Sequence, residues 1–196
     1  MFGFPAAAAL IVLAEPLIAT IFYRGAMTTL DVTMASLALQ AYAAGLIGHM
    51  AVKILAPGFF ARQEMKTPVR IGIIALVSNM VLNFAFIVWL GHIGLALATS
   101  ASAFINAFLL WRRLRLDGVF KPEAGWPMFL AKIVTSTGVM MFIIIMIAPQ
   151  PGSWLVSDLW EKVFWLATLC MVGALSYFLA LWIMGFRAAD FGSARS

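Results

Sequence analysis

Residues 69–90 read VRIGIIALVSNMVLNFAFIVWL, twenty-two residues with one charge, Arg70, at the second position. A helix needs about 20 mostly apolar residues to cross the hydrocarbon core of a bilayer. This stretch has that length, and turn signals close it at both ends. Thr67-Pro68 in front reads as an N-cap followed by proline at the first helical position. Gly91-His92-Ile93-Gly94 behind reads as a tight turn without formal charge.

The composition extends that reading to the whole chain. Of 196 residues, 64% are hydrophobic and 11% charged, and the mean hydropathy is +1.01. Soluble domains are about 45–50% apolar and about 25% charged. A water-soluble fold of this size could not hide so much apolar surface. The composition is also the reverse of a disordered chain. Lipid must be the main solvent, with room for six or seven spans. The net charge of +5 and pI of about 9.8 would favour nucleic acid in a soluble protein. In a membrane protein they serve orientation, so no nucleic-acid partner is expected.

Outward from 69–90 the chain divides into six apolar runs. They cover roughly 4–22, 32–56, 69–90, 95–110, 126–148 and 159–186. Glu15-Pro16 interrupts the first. Thr28, Thr29 and Asp31 are candidate N-caps for the second, which Pro57-Gly58 should stop. Barrel strands are excluded, because these runs exceed about 9–11 residues and do not alternate. The expected fold class is all-α, a polytopic membrane protein with six transmembrane helices. No positive n-region precedes the first run, so it reads as a true span and not a signal peptide. The abrupt start suggests the back part of something longer.

Of the 13 basic residues, Arg24 and Lys162 fall on one side of this alternation and the other eleven on the opposite side. The positive-inside rule puts the eleven, and both termini, in the cytoplasm. Trp89, Trp111, Trp126, Trp154, Trp160 and Trp182 lie near run ends, as interfacial belts do.

Soluble-enzyme motifs are missing, and no clustered Cys/His set offers a metal site. The single cysteine, Cys170, lies in an apolar run. No catalytic residue, metal or cofactor is expected. Polar groups inside the runs are more informative, because hydrocarbon penalises them. Glu15 directly precedes Pro16, which kinks a helix. It reads as a hinge or proton-sensitive acid in a cavity, or as an acid paired at a bend. Lys53 either snorkels to the interface or faces a lumen that receives an anionic head group. Arg24 reads as an anchor at the other face. Asn79 and Asn83 share a helix face. Gln40, Ala44 and Gly48 form a stripe on the second run, as do Gly94, Ala98, Ser102 and Asn106 on the fourth. Such stripes mediate packing and can also line a hydrated path. The fifth and sixth runs are nearly free of polar groups. They read as lipid-facing, or as walls of a groove for lipid tails.

The connector between runs two and three is the most specific feature: KILAPGFFARQEMKTPV, residues 53–69, with Pro57, Gly58, Phe59, Arg62, Lys66, Thr67 and Pro68. It resembles the MurJ/MviN family, lipid II flippases of bacterial peptidoglycan synthesis within the multidrug/oligosaccharidyl-lipid/polysaccharide exporter superfamily. Glu15-Pro16-Leu17-Ile18, Phe22-Tyr23-Arg24-Gly25, Gly91 to Leu95, and Gly125-Trp126 agree in order.

The resemblance implies fourteen spans, two six-helix lobes around a central cavity, and two added helices that form a groove leading into it. This chain resembles the last six helices. Residues 1–117 would be the last four helices of the second lobe. Residues 118–196 would be two groove-forming helices and a short cytoplasmic tail. The implied function is movement of lipid II, the undecaprenyl-linked peptidoglycan precursor, from the cytoplasmic to the periplasmic leaflet of the bacterial inner membrane. The family's first lobe, with most of its cavity arginines, has no counterpart here. Alternating access needs two halves that rock about a shared site, so these residues are expected to be inactive alone. A separate chain supplying the missing spans is one expected partner, beside membrane lipids and the lipid-linked precursor. An exporter of another lipid-linked glycan, and a non-transporting scaffold or remnant, are the alternatives.

Overall fold

The computed structural model describes residues 3–23, 27–119, 125–149, 154 and 157–185. Regular structure among them is helical: α1 (Gly3–Val12), α2 (Ala14–Ile21), α3 (Thr29–Phe60), α4 (Lys66–Leu116), α5 (Trp126–Ile147) and α6 (Leu159–Ile183). Among the described residues α3, α4, α5 and α6 are each long and apolar enough to cross a membrane, and the bent pair α1–α2 makes five. The outward faces are apolar too: Phe84, Val88 and Trp89 are 78%, 80% and 87% exposed. Surface of that kind suits a multi-pass membrane protein.

The first run is bent by 66° between α1 and α2. The break is at Leu13, before Glu15-Pro16. Proline removes the N–H that would bond the carbonyl four residues back, here that of Val12, and its ring clashes with the same carbonyl. The helix therefore gives way ahead of the proline. Beyond it Thr20 Oγ1 donates to the Pro16 carbonyl at 2.6 Å.

Thr28 caps α3. Its hydroxyl accepts from the Asp31 N–H, and the Asp31 carboxylate accepts from the Thr28 N–H at 2.9 Å, a reciprocal capping box. Pro57-Gly58 does not stop this helix, contrary to the sequence expectation: α3 runs through to Phe60. Packing overrides the stop signal. Phe59 is fully buried with Ile71, Leu110 and Leu114, and Gly58 lies flat against Leu114. The actual terminus is a left-handed turn at Gln63, φ 55°. There the N–H of Glu64 reaches the Phe59 carbonyl at 3.1 Å and that of Gln63 the Phe60 carbonyl at 3.0 Å, the Schellman pattern. Helix α4 starts at Lys66, one residue before the expected cap Thr67, and Met65 at the N-cap provides no side-chain bond. The Thr67 hydroxyl instead donates to Glu64 Oε1 at 2.5 Å.

A straight 51-residue helix would be roughly 76 Å long, far beyond a hydrocarbon core of about 30 Å. Helix α4 avoids this by folding at Gly91, whose φ of 56° and ψ of −133° suit glycine alone. Two antiparallel arms result, residues 66–90 and 92–116. Gly94 packs directly on the Phe86 backbone just past the turn. Helix α3 lies parallel to the second arm: Gly45 meets Ser100, Gly48 meets Ala103, and Gly58 meets Leu114.

Helices α5 and α6 form a second hairpin, with Gly173 against Ile144 and Ser136 Oγ donating to Met184 Sδ at 3.6 Å. It packs on α1 and α2. Leu13, Val32, Met140, Ile144, Leu169 and Tyr177 belong to the core that joins it to the rest. Trp154 is in that core at 3% exposure, which corrects its reading as an interfacial anchor. Trp89, Trp160 and Trp182 are more than two-thirds exposed, as belt residues should be.

Candidate functional site

Among the described residues, three of the polar or concave places contain residues singled out in the sequence or lie beside them. The first is a polar seam within the α4 hairpin. Asn79 Nδ2 donates to Ser102 Oγ at 3.0 Å, Asn83 Nδ2 donates to Asn79 Oδ1 at 2.7 Å, and Ser102 Oγ donates to the Thr99 carbonyl at 2.8 Å. The buried Asn83 Oδ1 has no partner. The small-residue stripes lie at helix contacts. Gly48 touches the backbone between Ala103 and Phe104, and Gln40 Nε2 donates to the Ile11 carbonyl at 3.2 Å. Sequence reasoning passed over Gly45 and Ser100, where the closest approach occurs. A Cβ on Gly45 would lie 2.8 Å from the Ser100 backbone, and Ser100 Oγ donates to the Ala41 carbonyl at 2.5 Å. The signal was there: serine and glycine at helical spacing in apolar runs allow close backbones.

The second place is the connector. Phe59 anchors it below, and Asp117 ties it above. The Asp117 carboxylate lies 3.3 Å from Arg113 Nε and 3.7 Å from an Arg62 nitrogen. Thr67, Arg70, Arg112 and Arg113, with Ile71 and Ile74, line an open cleft of about 420 Å³ between the ends of the two arms. Pro68 is half-buried in the first turn of α4, and Lys66 is exposed. Lys53 is exposed on α3, one turn before Pro57. The basic residues Arg62, Lys66, Arg70, Arg112, Arg113 and Arg115 thus gather at one end of the bundle. The start of α3, the Gly91 turn and Tyr23 are at the other.

The third place is an apolar cleft of about 320 Å³ between α1, α5 and α6, where Ala9, Leu13, Ile144, Leu169, Gly173 and Tyr177 are prominent. Glu15 is half-buried in the first turn of α2. Among the described residues it forms no hydrogen bond or ion pair, and none joins Glu15, Lys53 and Asn79 to one another. Arg24 lies outside the described residues. Among the described residues no three His, Cys, Asp or Glu side chains converge as metal ligands.

Residues 1–171 match the family model described as "Lipid II flippase MurJ". Over 192 residues the chain is 41% identical to the "Probable lipid II flippase MurJ" of Vibrio cholerae, covering 98% of this chain and 37% of that protein. It is 39% identical to the protein of the same name from Haemophilus influenzae, covering 95% of this chain and 36% of that protein. To the "Lipid II flippase MurJ" of Burkholderia cenocepacia it is 36% identical, again over 95% and 36%. The chain therefore spans little more than a third of the length of these curated relatives.

Proposed function

The chain belongs to the lipid II flippase MurJ family, and from that premise we propose that it forms the C-terminal part of a lipid II flippase. The observation that carries this is the pairing of near-complete coverage of this chain with about a third of each relative. The substrate is the undecaprenyl-linked peptidoglycan precursor, moved from the cytoplasmic to the periplasmic leaflet of the inner membrane. These 196 residues do not move it alone, since alternating access needs a second half. The remaining spans come from a longer chain or a separate one.

The geometry suits such a part. Counting the bent α1–α2 pair as one span and the two arms of α4 as two gives six. Residues 1–117 then form the last four helices of the second lobe, and 118–196 the two groove helices with a cytoplasmic tail. The apolar cleft between α1, α5 and α6 accommodates prenyl hydrocarbon, which needs contact area and no hydrogen bonds. The clustering of arginines and lysines at the connector end supports a cytoplasmic connector and cytoplasmic termini. Glu15, in the first turn of α2 just after the break at Leu13, and Lys53, one turn before Pro57 on α3, remain the candidate transport residues within this part. Arg24 and the Asn79–Asn83 pair complete the set.

Growth of a flippase-depleted strain tests the reading. The 196 residues alone should not restore growth, whereas the same residues joined to the upstream two-thirds of a relative should. Glu15→Ala and Lys53→Ala should each reduce rescue in the joined form. Rescue by the 196 residues alone would overturn inactivity. Failure of a folded, membrane-inserted joined form would overturn membership of the transport machinery.

A further inference from the structure

We propose that a cleft around Lys162, at the end of the bundle opposite the basic connector, binds the headgroup of a zwitterionic phospholipid, with the lipid phosphate on Lys162 and its ammonium toward Glu161 and Trp165. The proposal rests on the membrane reading above and not on transport.

Lys162 is 7% exposed, the one charged side chain among the described residues to be so buried. Its ammonium stands 5.3 Å from the centre of the Tyr23 ring. Among the described residues it has no hydrogen bond, and no carboxylate lies within ion-pair distance. An ammonium carries three donors, and leaving them unanswered in a buried place is costly. Helix geometry sharpens the anomaly. Lys162 is four residues past the N-cap Asp158 of α6, where exposed N–H groups and the helix dipole disfavour a cation and favour an anion.

The lysine borders a cleft of about 220 Å³, lined by Pro149, Trp154, Ser157, Glu161, Lys162 and Trp165. Glu161 is exposed on the same cleft and is not paired with Lys162. Among the described residues the site therefore presents one cation and one carboxylate without an ion-pair partner, with two indoles in its lining. A phosphate answers the cation through charge-assisted bonds. A primary ammonium answers the carboxylate and can lie over an indole face. The ligand is a lipid and not a free ion because of the rim. Trp160 and Phe164, one turn apart on α6, are 78% and 68% exposed. They offer acyl chains an apolar surface at the depth where tryptophan favours the interface.

The test uses the 196-residue chain in detergent micelles. Native mass spectrometry reads bound phosphatidylethanolamine, bound phosphatidylglycerol and competition by inorganic phosphate. Lys162→Met keeps an apolar stem over Tyr23 without the charge, Lys162→Arg keeps the charge, and Glu161→Gln removes the carboxylate. We expect one retained phosphatidylethanolamine, held in preference to phosphatidylglycerol and not displaced by phosphate. Lys162→Met should weaken it about tenfold or more. Lys162→Arg should hold it, and Glu161→Gln should erase the preference between the two lipids. Equal retention in wild type and Lys162→Met, preference for phosphatidylglycerol, or displacement by inorganic phosphate would each overturn the proposal. Should Lys162→Met lose helicity, Glu161→Gln decides: an unchanged preference overturns the site. Liposome flotation, expected to be equal for every variant, separates failure of the headgroup site from failure of the membrane reading.

Discussion

Asn79 Nδ2 donates to Ser102 Oγ across 3.0 Å, joining residues 23 apart in sequence. Along a straight helix they would stand roughly 35 Å apart. This bond and the Gly91 break together turn one 51-residue helix into a hairpin of bilayer height. Asn79 makes two of the seam's bonds and Asn83 one. Asn79→Ala should therefore destabilise the chain by about 1 kcal/mol, the usual worth of an interhelical bond in a membrane. Asn83→Ala should cost less. Because the two share a bond, the double variant should cost less than the sum. Reversible unfolding in mixed micelles checks the order.

Glycines separate close packing from backbone freedom. Gly45→Ala would drive a methyl group to 2.8 Å from the Ser100 backbone and should cost about 1–3 kcal/mol. Gly91→Ala meets open space but must adopt a φ of 56°, and should cost about 1–3 kcal/mol by strain alone. Gly138 in α5 also faces open space, with helical geometry. Gly138→Ala should stabilise by up to about 1 kcal/mol. Thermal melts of the three variants in one detergent give the comparison.

Gln63 occupies the left-handed position that ends α3, with φ at 55°. Glycine takes that conformation without a Cβ penalty. Gln63→Gly should raise stability by about 1 kcal/mol, and Gln63→Val should lower it. The shift in midpoint on unfolding is the readout.

Apolar burial and not charge holds the connector. Phe59 is fully buried, so Phe59→Ala should cost about 3–5 kcal/mol. Asp117 holds two arginines whose side chains are 46% and 50% exposed. Pairs that exposed are worth about 0–1 kcal/mol and are screened by salt. Asp117→Asn should therefore cost less than 1 kcal/mol, with the difference shrinking in high salt.

The local signals that proved legible are those decided by neighbouring residues. Thr28 with Asp31, and the glycine at position 91, act within a turn and could be read directly. Pro57-Gly58 could not, because Phe59 meets Ile71, Leu110 and Leu114 from other parts of the chain. Facing was also hidden. In lipid both the packed and the outer sides of a helix are apolar, so a run such as 69–90 does not announce which side touches protein. Small residues did mark the contacts, but the tightest one, Gly45 on Ser100, needed the register between two helices. Trp154 read as an interface residue, since nothing nearby in sequence places it in the core, and nothing nearby reveals that Lys162 is buried beside Tyr23. Glu15 and Lys53 stand out in the sequence through the cost of a charge in hydrocarbon, and among the described residues no hydrogen bond or ion pair joins them into one site.

The most direct measurement is lipid II reaching the outer leaflet in cells depleted of their own flippase. It should be read by a periplasmic enzyme that cleaves the exposed precursor. With the 196 residues alone, cleavage should stay at the level of depleted cells. With the same residues joined to the upstream part of a relative, it should return. Cleavage restored by the 196 residues alone would contradict the account, as would a joined form that inserts and folds yet moves no lipid.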